Sequence, residues 1–195
     1  MTTLIQPTSL SRRNALKLGG IGTLSAATIG LLAGVPGLAR AADSMTAGDV
    51  SILNVALGLE HEAIEAYQIG AESKLLTPGV LKIAVGFQSQ HKEHRDALVA
   101  TIEKLGGKAV AAKKRAAYEK ALNVAMLKNE ADVLGLAKKL ELGAANAYLG
   151  VIPSFADKNL AQVSARLAAD ETMHWTVLAQ ATGEMLPMKA LTFGA

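Results

Sequence analysis

Cysteine is absent from all 195 residues. Its absence excludes disulfides, thiolate metal sites, iron–sulfur clusters and a cysteine nucleophile. Aromatic residues are nearly as scarce: three Phe, three Tyr and one Trp. β-Sandwiches draw heavily on aromatic and β-branched residues, so this shortage argues against one. A surplus of one charge sign is missing too. The formal net charge of +3 is produced by residues 1–41, which carry Arg12, Arg13, Lys17 and Arg40 and no acid. The rest of the chain has 16 basic and 17 acidic residues. A nearly neutral chain lacks the electrostatic footprint of a nucleic-acid-binding protein.

What the chain does have is apolar bulk. Half of its residues are hydrophobic and its mean hydropathy is +0.26, which excludes a disordered chain. Ala is the commonest apolar residue, and small helix-favouring side chains point to closely packed helices. The length suits one or two domains.

The N-terminus carries Ser11-Arg12-Arg13-Asn14-Ala15-Leu16-Lys17, an uncharged stretch from Leu18 to Ala39, and then Ala39-Arg40-Ala41. A basic flank, an apolar middle and a small-residue exit define a secretory signal. The paired arginines followed by Leu16 and Lys17 resemble a twin-arginine signal. Ala15 stands where such signals often have Phe. Six glycines dilute the apolar stretch, which argues against a permanent membrane anchor. The resemblance implies export of a folded protein, often with a cofactor already loaded. The twin-arginine export machinery is then the expected partner and the periplasm or another extracytoplasmic space the destination. The domain reading is a signal over 1–41 and a single domain over 42–195.

Four long helices are expected in that domain. The first runs from about Thr46 to Ser73, with Thr46 and Asp49 as its N-terminal cap. The second starts at Thr77-Pro78 and ends at Gly106-Gly107. The third spans about Glu130 to Val151, before Pro153. The fourth spans about Ser154 to Thr182, before Gly183. Residues 108–129 form a partly helical crossover, whose Lys113-Lys114-Arg115 run is read as a solvated face. Two short loops around one long connection are the wiring of a four-helix bundle. The sequence also repeats. Leu59-Glu60, Ala63, Ala66 and Tyr67 recur as Leu140-Glu141, Ala144, Ala147 and Tyr148 at an offset of 81, and His94 and Leu98 recur as His174 and Leu178 at 80. Two related hairpins can enclose a core that neither encloses alone.

Residues three, four and seven apart share a helix face. Glu60 lies within the apolar stripe of Leu53, Ala56, Leu57, Ile64 and Tyr67. His91 and His94 lie within that of Ala84, Phe87, Leu98 and Ile102. Glu141 lies among Leu134, Ala137, Ala144, Ala145 and Tyr148, and Glu171 and His174 among Leu167, Leu178 and Ala181. His61, Glu62, Glu65 and Gln68 fall on the opposite, solvated side. A buried carboxylate left unpaired costs on the order of 3–5 kcal/mol. Six ionisable residues at core positions therefore call for neutralisation, and carboxylate with imidazole is a good donor set for iron, manganese or zinc.

One Glu from each of two helices, a Glu-x-x-His pair in the fourth helix and a matching pair in the second resemble the ferritin-like superfamily, and in particular its exported bacterial members. The resemblance covers residues 42 to about 183. It implies an all-α bundle of two related hairpins with a crossover connection. It also implies a two-metal site of Glu60, His91, His94, Glu141, Glu171 and His174, holding iron or manganese. The departure is His91, where the family has Glu; Glu93 is about 200° away around the helix and is a poor substitute. Losing one carboxylate weakens a bridged iron centre and favours copper or zinc at one position. Tyr67 and Tyr148 share the faces of their glutamates and are read first as core packing. Trp175 is assigned to packing or an interface. Two functions follow: oxygen, peroxide or Fe(II) redox chemistry fed by external electrons, or a non-catalytic scaffold in envelope stress protection. A storage cage is disfavoured by the lack of a long fifth helix. Homo-oligomerisation is left open.

Overall fold

The computed structural model describes the backbone of residues 36–191 and the side chains of residues 44–191. The twin-arginine motif and residues 14–35 lie outside the described residues. The chain divides into two compact units between Ala42 and Asp43, and the bundle is the second. Helix α1 spans Pro36–Glu72, α2 Pro78–Lys104, α3 Arg115–Ala121, α4 Glu130–Val151 and α5 Lys158–Ala181. Short 3-10 turns occupy Val124–Met126 and Ile152–Ser154. The described residues contain no strand, so the fold is all-α as the periodicity requires.

Local chemistry sets most of the boundaries. Thr77 is extended and Pro78 starts α2, where a missing N–H costs nothing. The Thr77 N–H donates to Glu130 Oε2 at 2.5 Å, tying the start of α2 to the start of α4. Asn129 caps α4 by accepting from the Asp132 N–H, and Glu130 and Asp132 complement the helix dipole. Gly106 and Gly183 end α2 and α5 at φ of +77° and +73°. In that left-handed conformation the N–H groups of Gly107 and Glu184 reach back to the Ile102 and Ala179 carbonyls at 2.9 and 2.8 Å.

Two expected helix starts are corrected. Thr46 is not a cap: α1 is helical from Pro36, because Leu38 to Ala42 are helix formers with nothing to stop them. Asp49 instead accepts from the Ala156 and Asp157 N–H groups at 2.9 and 3.1 Å, fastening α1 to the α4–α5 turn. The fourth long helix starts at Lys158 rather than Ser154, because Pro153 sits in a 3-10 turn and Asp157 supplies the cap.

The core has two apolar ends. Leu53, Leu57, Leu98, Ile102, Tyr148 and Leu167 form one. At the other, the crossover helix α3 places Tyr118 and Leu122 against Ile69 of α1. The start of the crossover is held by Asn54, which donates to the Lys108 carbonyl and accepts from the Val110 N–H. Arg115 of the basic run pairs with Glu72 at 2.7 Å and Glu119 at 2.9 Å, while Lys113 and Lys114 are exposed.

Candidate metal centre

All six residues singled out by the stripes are buried between the apolar ends. Glu60, His91, Glu141, Glu171 and His174 are at most 2% exposed and His94 is 8% exposed. Glu93 points to solvent, as helix geometry requires. Ile64, His61, Glu62, Glu65 and Gln68 are all half-buried, so that boundary of α1 is less sharp than expected. His61 Nε2 lies 3.1 Å from the Val110 carbonyl, and Gln68 accepts from buried Gln88 at 2.8 Å.

The six side chains make two overlapping groups, each with ligand atoms mutually within 4.8 Å: Glu60, His91, His94 and Glu171, and His91, Glu141, Glu171 and His174. Glu171 spans both, with Oε1 at 3.2 Å from His94 Nδ1 and Oε2 at 3.3 Å from His174 Nδ1. His91 spans both as well. Its Nδ1 is 2.9 Å from Glu60 Oε2 and 3.7 Å from Glu171 Oε1, and its Nε2 is 3.1 Å from Glu141 Oε1.

An outer ring of partners follows the sequence repeat. The Tyr67 hydroxyl donates to Glu141 and the Tyr148 hydroxyl to Glu60, so each hairpin's tyrosine serves the other hairpin's glutamate. These tyrosines are thus packed and hydrogen-bonded at once. The histidines are held in the same crossed fashion. His94 Nε2 is 3.3 Å from Asp170 Oδ2, and His174 Nε2 is 2.6 Å from Gln90 Oε1. Such partners fix ring orientation and leave Nδ1 for the site. Sequence reasoning missed Gln90 and Asp170. They stand at the same offset of 80 that links His94 to His174, and extending that match by four residues finds them. Phe87 stacks on His174 with ring centroids 4.1 Å apart. Trp175, expected in packing or at an interface, is buried within the chain.

Burial works against every charge here, and the pairing mostly outweighs it. Desolvation raises Glu60, yet the hydrogen bond from His91 and the nearby His94 ring bring it down to about 2. Glu141 is held well below the usual carboxylate range against burial, first by His174 and then by His91. In Glu171 burial prevails and the carboxyl is raised. Burial opposes charge on His91 too, but Glu141 and Glu60 bring it up to about 10. His94 also rises to about 10 against burial, through Glu171 and Glu60. His174 is raised by Glu141 and Glu171, again against burial. Burial pushes both phenols up, assisted at Tyr67 by Glu141 and at Tyr148 by Glu60, so they remain proton donors.

The donor set fits divalent cations. Among the described residues, the buried side-chain atoms without a hydrogen bond are both oxygens of Glu171 and His94 Nδ1. All three face the interior of the two groups. Buried acceptors are rarely left unmatched, and a cation satisfies them. Beside this layer, Tyr67 and Phe87 border a cavity of about 50 Å³ whose other walls, including Leu134, Ala137 and Val177, are aliphatic.

Comparison with known proteins agrees with the helical fold. The family model described as the ferritin-like domain matches residues 48–184. A conserved hypothetical protein of Mycobacterium tuberculosis, known from its crystal structure, has a similar fold, with a TM-score of 0.63 at 22% identity over 75% of this chain and 99% of that one. No curated protein sequence matches this chain.

Proposed function

The chain belongs to the ferritin-like domain family, and from that premise we propose that it is an exported protein holding two divalent ions, iron or manganese, for redox chemistry with oxygen, peroxide or Fe(II). The observation that carries this reading is Glu171, a fully buried carboxylate whose two oxygens lack hydrogen bonds and face different histidines. Glu60 with His94 would hold one ion and Glu141 with His174 the other, with Glu171 reaching both. A bound pair of such ions supplies a redox couple and open coordination positions for an oxidant. Tyr67 and Tyr148 keep the protons on their hydroxyls and orient Glu141 and Glu60. Asp170 and Gln90 orient His94 and His174. The aliphatic cavity beside Phe87 favours a small uncharged oxidant over a hydrated ion.

Export by the twin-arginine route, to the periplasm or another extracytoplasmic space, is part of the proposal and rests on Arg12-Arg13 and the stretch behind them. Among the described residues, no helix is long and apolar enough to cross a membrane. Changing Arg12 and Arg13 together to Lys is expected to block export, and the exported protein to begin at Ala42. Normal export of the double variant rejects the route.

A second reading, a non-catalytic scaffold in envelope stress protection, is favoured by one observation. Three carboxylates face three imidazoles whose pKa values are all raised, so the cluster balances its own charge when protonated. Metal analysis separates the two. Protein purified from its native compartment is expected to carry up to two ions per chain. Glu141→Ala and Glu171→Ala should each remove metal while the far-ultraviolet circular dichroism stays helical. Metal-free native protein, or metal content unchanged in both variants, rejects the metal reading in favour of the scaffold.

A further inference from the structure

His91 and Glu171 stand at equivalent positions of the repeat, 80 residues apart, and are the two residues common to both ligand groups. Glu171 is shared in the ordinary way, one carboxylate oxygen toward each side. His91 is shared through opposite edges of its ring. Nδ1 faces Glu60 and Glu171, and Nε2 faces Glu141. The ring is fixed in that orientation. It is 1% exposed, and it lies between Tyr67, at 5.4 Å between centroids, and the rings of His94 and His174, at 5.8 and 5.2 Å. A histidine serving a single ion has its second nitrogen on a backbone carbonyl, a water or an outer carboxylate, as His94 and His174 have theirs on Asp170 and Gln90. His91 has no such outer partner: both its nitrogens face glutamates of the inner cluster.

We propose that His91 bridges the two metal positions, with Nδ1 binding the ion held by Glu60 and His94 and Nε2 the ion held by Glu141 and His174. This inference rests on the two-metal reading above and goes beyond it, because it assigns the link between the ions and their separation. On forming the bridge the ring gives up both of its N–H protons to solvent, two metal–nitrogen bonds form in their place, and nothing is oxidised or reduced. Metal–nitrogen bonds of about 2.0–2.1 Å on both sides of an imidazole put the ions roughly 6 Å apart. Pairs held by short carboxylate bridges sit about 3.5–4 Å apart; across the longer gap Glu171 still turns one oxygen toward each position without drawing the two together. A pair at the longer distance is suited to one-electron exchange through the ring more than to joint binding of both ends of a small oxidant. Imidazole donors also shift preference toward copper and zinc.

The test uses the metal alone. The full chain is loaded with two equivalents of Cu(II), and bound copper is counted after desalting. Low-temperature electron paramagnetic resonance and X-ray absorption are then recorded. The expected result is two ions per chain, loss of much of the signal intensity of two isolated Cu(II) ions through exchange across the ring, and no metal neighbour at the carboxylate-bridged distance. His91→Gln, checked for helicity, should restore the isolated-ion signal, and His91→Glu should bring in the short metal–metal distance. Two bound ions with full isolated-ion intensity, a short distance in the unaltered protein, or a spectrum unchanged by removing the ring overturns the bridge and leaves the two-metal reading standing. One ion per chain overturns the bridge as well. No bound ion overturns both. If neither variant folds, the unaltered protein's spectrum and metal–metal distance still decide.

Discussion

Hairpin α1–α2 and hairpin α4–α5 put Glu60 and Glu141, Tyr67 and Tyr148, and His94 and His174 at matching places around one polar layer. At these positions the interactions are reciprocal, each tyrosine donating to the opposite glutamate. The hairpins part company at His91 against Glu171 and at Gln90 against Asp170. The first therefore gives the inner layer one carboxylate and two imidazoles, and the second two carboxylates and one imidazole. Two identical acidic hairpins repel across such a core and depend on cations to hold them together. Here one side is richer in cations and the other in anions, so the halves attract without metal. The same histidine that makes the metal-free bundle more tolerable gives the two ligand groups a shared ring where a second carboxylate would stand.

The largest test of this complementarity is pH, applied to metal-free protein. His91 and His94 rise from 6.5 to about 10 on folding, and Glu60 falls from 4.5 to about 2. A raised histidine gives stability that is complete below 6.5 and is lost as pH climbs through the folded value. A depressed carboxyl gives stability that is complete above 4.5 and is lost as pH falls through its folded value. The melting temperature is thus expected to be highest between 4.5 and 6.5 and to fall steadily toward pH 10. A flat profile from pH 6.5 to 10 breaks the charge-complementary account. Divalent metal should reverse the alkaline trend, because ligands bind metal only after losing their protons.

Making the hairpins alike is the next largest change. His91→Glu adds a fourth carboxylate to the layer, and the metal-free variant should lose about 1–3 kcal/mol through repulsion and desolvation. Fe(II) should recover that loss and stabilise the variant more than it stabilises the original protein. Thermal melts with and without Fe(II) check both statements. A variant equally destabilised in each condition means that the layer takes no iron.

Where the hairpins match, the expected effects are smaller and equal. Tyr67→Phe and Tyr148→Phe each remove one hydrogen bond to a buried carboxylate, at about 1–2 kcal/mol. Denaturant melts should place the two within about 0.5 kcal/mol of each other if the reciprocity is real. A large gap between them would show that one hairpin alone carries the layer.

Much of this fold was readable along the chain because its causes are local. Pro78 and Gly183 mark helix ends by what their own backbones can or cannot do, and these ends stand where expected. The six layer residues were readable for a related reason, since helical spacing alone puts Glu60, His91, His94, Glu141, Glu171 and His174 on apolar stripes. Thr46 misled because a capping residue acts only where the preceding chain leaves the helix, and Asp49 had a partner 107 residues away. Gln90 and Asp170 were hidden because they lie just off the stripes and matter only through rings on the opposite helix.

The sequence by itself determined the helices, their order and the six buried ligand candidates, because periodicity and caps act within a few residues. Only the tertiary structure decided which atom faces which. The crossed tyrosines, the two orphaned oxygens of Glu171 and the two-sided placement of the His91 ring depend on how α1 and α2 pack against α4 and α5. The direction in which a ring nitrogen or carboxylate oxygen points is set by neighbours from distant parts of the chain, and helical spacing carries no record of it.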